Sequence, residues 1–248
     1  MEFMSFEDEV RMRVDANAGN RELCEAADNF MRASTQPKYS YNFSWLGRPI
    51  IQYPQDIVAM QEIIWRTRPD LIIETGIAHG GSLIFSASML ELNALCGGPG
   101  SARVLGIDID IRAHNRTAIE THPLARRIHM IQGSSVAADT IAAVRQVACQ
   151  SNNILVCLDS NHTHEHVLTE LEAYAPLTSV GNYCVVFDTV VENLPGQMWT
   201  DRPWGPGNNP KTAVWKYLET HPEFQIDQRV HQQLLITVAP DGYLIRVK

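Results

Sequence analysis

The chain predicts an α/β protein built on a Rossmann-like seven-stranded sheet, mostly parallel, with a C-terminal antiparallel hairpin and additional N-terminal helices. Three observations predict it. Short apolar, β-branched runs alternate with helical stretches from about residue 70 onward, the pattern of a parallel sheet covered on both faces. The first run leads into Leu71-Ile72-Ile73-Glu74-Thr75-Gly76-Ile77-Ala78-His79-Gly80-Gly81-Ser82, which reads as a strand, an acidic turn, glycines and a helix start. Near the C-terminus, Pro240-Asp241-Gly242 is a chain-reversing turn.

Each element has its own signal. Residues 6–33 alternate charged and apolar positions at roughly helical spacing, which predicts one or two helices outside the sheet. Residues 38–54 carry Tyr39, Tyr41, Phe43, Trp45 and Tyr53. They read as an irregular segment over the sheet or as a wall for a substrate, since aromatics bury area while presenting polar edges. This divides the chain into residues 1–54, a helical and aromatic substrate-covering segment, and residues 55–248, the ligand-binding domain. Residues 55–66 predict a helix. Strands follow at 70–73, 103–107, 128–131, 153–158 and 183–187, with helices at 82–95, 113–120, 136–149 and 165–175 between them. A long Pro/Gly/Trp loop, 194–210, reads as a flap with Trp204 as its apolar contact. A helix at 211–219 follows, then the segment 224–228, and 234–238 with 243–247 close the chain as the hairpin.

Composition narrows the function classes. In 248 residues, acidic side chains outnumber basic ones 28 to 20, so a nucleic-acid-binding surface is not expected. The five cysteines form no C-x-x-C pair, and several sit in apolar runs, as reduced thiols of a cytoplasmic protein do. No apolar run of membrane-spanning length and no secretory signal is present, so no membrane partner is expected. Self-association is expected, because the N-terminal helices need partners for their apolar faces.

The glycine turn and the second strand carry the ligand signal. Gly76 and Gly80 permit conformations closed to other residues, and the helix from Ser82 aims its N-terminus at whatever the loop holds. The second strand ends in Gly106-Ile107-Asp108-Ile109-Asp110, placing Asp108 where a carboxylate accepts from both hydroxyls of a ribose. The spacing is not that of an NAD fingerprint. A first-strand acid, Glu74, repels a pyrophosphate but suits a cofactor with a positive centre, which favours S-adenosylmethionine. After the third strand, Ser134 and Ser135 either meet an adenine edge or cap the next helix.

The fourth strand ends in Leu158-Asp159-Ser160-Asn161-His162 and the fifth in Phe187-Asp188-Thr189. Neighbouring strand ends lie close together, so Asp159 and Asp188 can share one cation, and oxygen ligands suit Mg²⁺. The competing role for both acids is helix capping. His162 stands at the mouth of the same crevice, placed to deprotonate a hydroxyl. An alternative set, Asp159, His162 and His166, has the composition of an oxidising iron site or a zinc site.

These segments resemble the cephalosporin-hydroxylase-type, or rhamnosyl O-methyltransferase, family of S-adenosylmethionine-dependent enzymes, from about residue 41 to the C-terminus. The resemblance implies a Rossmann-like methyltransferase fold and metal-assisted O-methylation of a hydroxyl-bearing small molecule. It implies Glu74 and Gly76 at the methionine part of the cofactor, Asp108 at the ribose, and Ser134 or Ser135 at the adenine. It further implies Mg²⁺ on Asp159 and Asp188, and His162 where related enzymes carry a lysine base. The family often has Glu-Asp at the fifth strand's end, and this chain has Phe187-Asp188. A lost metal acid is also what a non-catalytic binding protein of this fold would show.

Overall fold

The computed structural model describes residues 4–248. Helices α1 (Phe6–Ala18) and α2 (Arg21–Thr35) start on side-chain caps: Ser5 Oγ accepts from Asp8 N, and Asn20 Oδ1 from Leu23 N. The aromatic segment forms a small hairpin, β1 (Phe43–Trp45) and β2 (Arg48–Ile50). Its two-residue turn, Leu46 (φ 46°) and Gly47 (φ 85°), is left-handed at both positions, as tight hairpins require. Helix α3 (Pro54–Thr67) begins on proline, whose missing N–H costs nothing at a helix start.

The main domain continues with β3 (Leu71–Thr75), α4 (Gly81–Leu95), β4 (Arg103–Asp108), α5 (Ala113–Glu120), β5 (Ile128–Gln132), α6 (Ala138–Ala148), β6 (Ile154–Leu158), α7 (His164–Tyr174) and β7 (Tyr183–Val186). Helix α8 (Pro210–Leu218), β8 (Phe224–Ile226), α9 (Gln228–Leu234) and β9 (Tyr243–Arg246) complete it. The seven strands lie in the order β5-β4-β3-β6-β7-β9-β8, and β9 runs antiparallel to both its neighbours.

Alternation along the strands feeds two cores. Ile72, Val104, Leu155, Cys157, Tyr183 and Val185 face α3 and α4, while Leu71, Ile73, Leu105, Ile107, Val156 and Cys184 face α6, α7 and α8. This parity decides where the acids point. Glu74 shares the side of Ile72, Asp159 that of Cys157, and Phe187 that of Val185, so all three stand at the carboxyl edge on the α3/α4 face.

The expected strand at 234–238 is corrected. Residues 228–234 form α9, and β9 lies antiparallel between β7 and β8. The reason is a buried acid: Asp56 on α3 accepts from Val238 N (3.0 Å), from Thr237 Oγ1 and from Tyr243 Oη (2.8 Å). The Val238 carbonyl meanwhile takes Val190 N at 3.1 Å. Backbone groups a strand would spend on a ladder are spent on Asp56 and on residue 190.

Candidate active site

A cleft of about 470 Å³ opens at the carboxyl edge of the sheet, within the range of small-molecule sites. Its floor is sheet: Gly76, Ile77, Asp159, Ser160, Phe187 and Asp188. Its near wall is the N-terminal segment, with Met31, Lys38, Tyr41 and Tyr53. Trp199, Arg202 and Trp204 of the long loop form the far wall.

Three ligand-type side chains converge on the floor. Asp159, His162 and Asp188 each offer a donor atom within 4.8 Å of the others, and His162 Nε2 lies 3.2 Å from Asp188 Oδ2. Alternation alone would send Asp188 to the opposite face with Val186. Its left-handed backbone (φ 55°) lets it join Asp159 and His162. Burial, then the neighbouring Asp188 charge, hold the Asp159 carboxyl well above the usual carboxylate range. Two acids facing one another are relieved by a cation or a shared proton.

The glycine turn is built by contact. Gly76 (φ 90°) has no room for a Cβ, which would strike the Asp159 carbonyl oxygen and lie 2.7 Å from its carbon. A Cβ at Gly80 (φ 82°) would enter the Ile119 side chain, at 2.6 Å from its Cγ1. Ser82 Oγ donates to Glu74 Oε1, and burial pushes the Glu74 carboxyl up to about 7. Glu74, Ser82 and Asp159 line a smaller inner chamber that adjoins the cleft.

Other expected residues sit apart from the cleft wall. Asp108 Oδ2 accepts from Ile77 N (2.8 Å) and Ala78 N (3.2 Å), so it braces the glycine turn from behind. Ser135 is buried and shares its hydroxyl with His166 Nε2 (3.1 Å); Tyr174 Oη donates to its carbonyl. Ser134 is half-buried beside it. His166 faces Ser135, Ser160 (3.2 Å) and the fully buried Glu170 (3.6 Å), so the set Asp159, His162, His166 is not assembled. Helix α7 carries His166, Glu170 and Tyr174 at i, i+4, i+8 as one polar stripe that ties the loops after β5 and β6 together.

The loop at 194–210 is pinned as well as long. Glu192 Oε2 accepts from Gly207 N (2.7 Å) and from Asn209 Nδ2, and Asn208 Oδ1 accepts from His164 N (2.9 Å). Trp204 meets His162 edge-on at 4.8 Å between centroids. Gln52 and Asp56, which also line the inner chamber, escaped the sequence reading. Only the Pro54 helix start between them marks the place.

A parallel sheet closed by one reversed strand, with a glycine turn after its first strand and acids along its carboxyl edge, defines a Rossmann-like methyltransferase. The sequence pattern of the rhamnosyl O-methyltransferase/CmcI family matches residues 37–247, and the chain belongs to that family. It is 30% identical over 199 residues to the rhamnosyl O-methyltransferase of Mycobacterium tuberculosis (strain ATCC 25618 / H37Rv), covering 77% of this chain and 73% of that protein. Against the Mycobacterium leprae (strain TN) rhamnosyl O-methyltransferase the identity is 30% over 207 residues, 82% of each chain. The same fold is seen in CmcI with Mg and SAM, at TM-score 0.54 and 21% identity over 84% of this chain and 78% of that one. Cofactor-bound Rv0187 from MTB superposes at TM-score 0.54 and 14% identity over the full length of both.

Proposed function

We propose that this methyltransferase moves a methyl group from S-adenosylmethionine to a hydroxyl of a small molecule, a sugar or natural-product intermediate, with Mg²⁺ assisting. The observation that carries the reading is the convergence of Asp159, His162 and Asp188 beside the Glu74–Gly76 turn. The rhamnosyl O-methyltransferase relatives support a sugar hydroxyl as acceptor.

The donor set fits the groups this function needs. Two carboxylates at one edge suit a hard divalent cation that keeps several waters, and Phe187 leaves the neighbouring position without a ligand. Glu74, buried beside Ser82, suits the ammonium at the amino-acid end of the cofactor, with Gly76, Gly80 and Ser82 forming its cradle. Asp108 is assigned to the ribose and Ser134 or Ser135 to the adenine side. Held by Asp159 and Asp188, Mg²⁺ would make a substrate hydroxyl more acidic, and S-adenosylmethionine would supply an electrophilic methyl group.

His162 is the proton acceptor. Its Nε2 lies 3.2 Å from Asp188 Oδ2, so the imidazolium formed on taking the acceptor's proton stands beside a carboxylate. Asp188 then stabilises the imidazolium, and Trp204 limits the ring's swing. The rest is positioning: the two walls hold the hydroxyl in line with the methyl group while excluding water. Residues 1–54 are the substrate-covering segment, supported by Met31, Lys38, Tyr41 and Tyr53 on the wall. The five free cysteines support a cytoplasmic location. Exposed Phe6 and Met12 on α1 support self-association, which sedimentation would test.

Calorimetry with S-adenosylmethionine, with and without Mg²⁺ and with NAD as control, tests the reading, followed by product mass with a sugar acceptor. Binding of S-adenosylmethionine and not NAD, weakened in Asp108→Ala, and a product heavier by the CH2 that replacing a hydroxyl hydrogen with methyl adds are expected. Absent binding by folded protein refutes the function; a product heavier by one oxygen points to oxidation instead.

A further inference from the structure

Gln52 stands where the inner chamber and the cleft meet, and it lines both. Its position is fixed from two sides. A Cβ on Gly81 would collide with the Pro49 carbonyl, so only glycine lets β2 lie directly on the first turn of α4. The chain then crosses the glycine turn through Ile51 and Gln52 and is held at Tyr53, whose hydroxyl pairs with Ser34 Oγ at 2.8 Å. Two residues beyond the Pro54 helix start, Asp56 anchors the segment to Thr237, Val238 and Tyr243.

Clamped in this way, Gln52 is 8% exposed, and its Oε1 has no hydrogen-bond partner among the described residues. A buried amide oxygen without a donor is uncommon and asks for a ligand. The chamber it faces is about 30 Å³, the room of one water or one ammonium group. Its polar lining is rich in acceptors: the carboxyls of Glu74, Asp159 and Asp56 besides Oε1 itself. Asp56 is already filled by its three donors, which leaves Glu74, Asp159 and Gln52 to receive what enters. A small cationic donor answers that lining.

We propose that Gln52 is a further cofactor-binding residue that reads the amino-acid end of S-adenosylmethionine. Its Oε1 accepts from the ammonium seated in the inner chamber. Its amide N–H donates toward the carboxylate carried on the same carbon, since a primary amide offers both halves of that pairing. The inference rests on the proposed methyl donor, but it concerns the end of that molecule remote from Asp108 and Ser134.

The test compares three ligands by calorimetry on the full chain: S-adenosylmethionine, S-adenosylhomocysteine, and 5′-methylthioadenosine, which keeps the adenosine and lacks the amino acid. Gln52→Leu is expected to weaken the first two about 10- to 100-fold, the worth of hydrogen bonds to charged groups, and to leave 5′-methylthioadenosine unchanged. Gln52→Met, which keeps the length of the side chain, is run beside it with thermal melts, so that a folding failure of one variant leaves the other to report. Equal weakening of all three ligands overturns the proposal, because a pocket merely propped up by Gln52 would lose them together. Unchanged affinity for all three also overturns it and leaves the chamber to a water molecule. If the folded wild-type protein binds none of the three, the methyl-donor reading falls first and this inference with it.

Discussion

Gly76→Ala separates what a glycine does by backbone freedom from what it does by absence. Gly76 has φ 90°, and holding an L-residue in the left-handed region costs about 1–2 kcal/mol. Its added Cβ would also strike the Asp159 carbonyl oxygen, with the carbonyl carbon at 2.7 Å and Ser160 Cα at 3.2 Å. These are backbone atoms of a strand end, so relief means moving the β6 turn, an overpacking cost of about 1–3 kcal/mol. The sum, about 2–5 kcal/mol, is a large part of the stability of an ordinary domain. Gly47→Ala is the control: φ is 85°, and a Cβ there meets nothing within 4 Å. Urea unfolding of both variants reads the two costs apart, and a Mg²⁺ titration reads the displacement of Asp159. Gly76→Ala is expected to lose more stability than Gly47→Ala and to bind Mg²⁺ more weakly. If the two variants unfold at the same urea concentration, the close approach of residues 76 and 159 is not what the glycine serves.

Three further outcomes follow from the same geometry. Because burial pushes the Glu74 carboxyl up to about 7, S-adenosylmethionine affinity should rise as pH climbs through 7 and level off above it; calorimetry from pH 6 to pH 8 reads this, and a flat profile removes Glu74 from the ammonium. Asp188→Asn should fold normally, since Asn tolerates the left-handed backbone, while Mg²⁺ affinity falls by at least about tenfold; unchanged affinity excludes Asp188 as a ligand. Asp56 is raised by burial from 3.8 to about 6, so its folded form holds the proton more tightly, and its contribution to stability is lost as pH rises from about 4 to about 6. Urea unfolding of Asp56→Asn should therefore fall furthest below wild type near pH 4, by about 3 kcal/mol more than above pH 6, a difference of about two pKa units at 1.36 kcal/mol each; a pH-independent gap contradicts the shift.

The parallel strands were legible because each is a short apolar run, and burial on both faces demands nothing subtler. The C-terminal antiparallel pair was legible as a class, but its membership was not. Leu234-Leu235-Ile236-Thr237-Val238 has the composition of a strand, yet its backbone goes to Asp56, 182 positions away from Val238, a partner no local pattern announces. Asp159, Asp188 and His162 were legible because strand ends in a parallel sheet meet at one edge. Gln52 was not, because one polar residue two positions ahead of a proline has no periodicity to betray it.

By itself the sequence determined the parallel part of the sheet, the glycine turn and the acids at its carboxyl edge, since these depend on local spacing and on the alternation of side chains. Only the tertiary structure decided which face each acid serves, that Asp188 turns back through a left-handed backbone, and that His166 belongs to Ser135, Ser160 and Glu170 rather than to Asp159. The reason is physical. Side-chain direction at a strand's last residue, and the partner of a buried polar group, are set by packing between segments far apart in the chain, and local spacing carries no record of that packing.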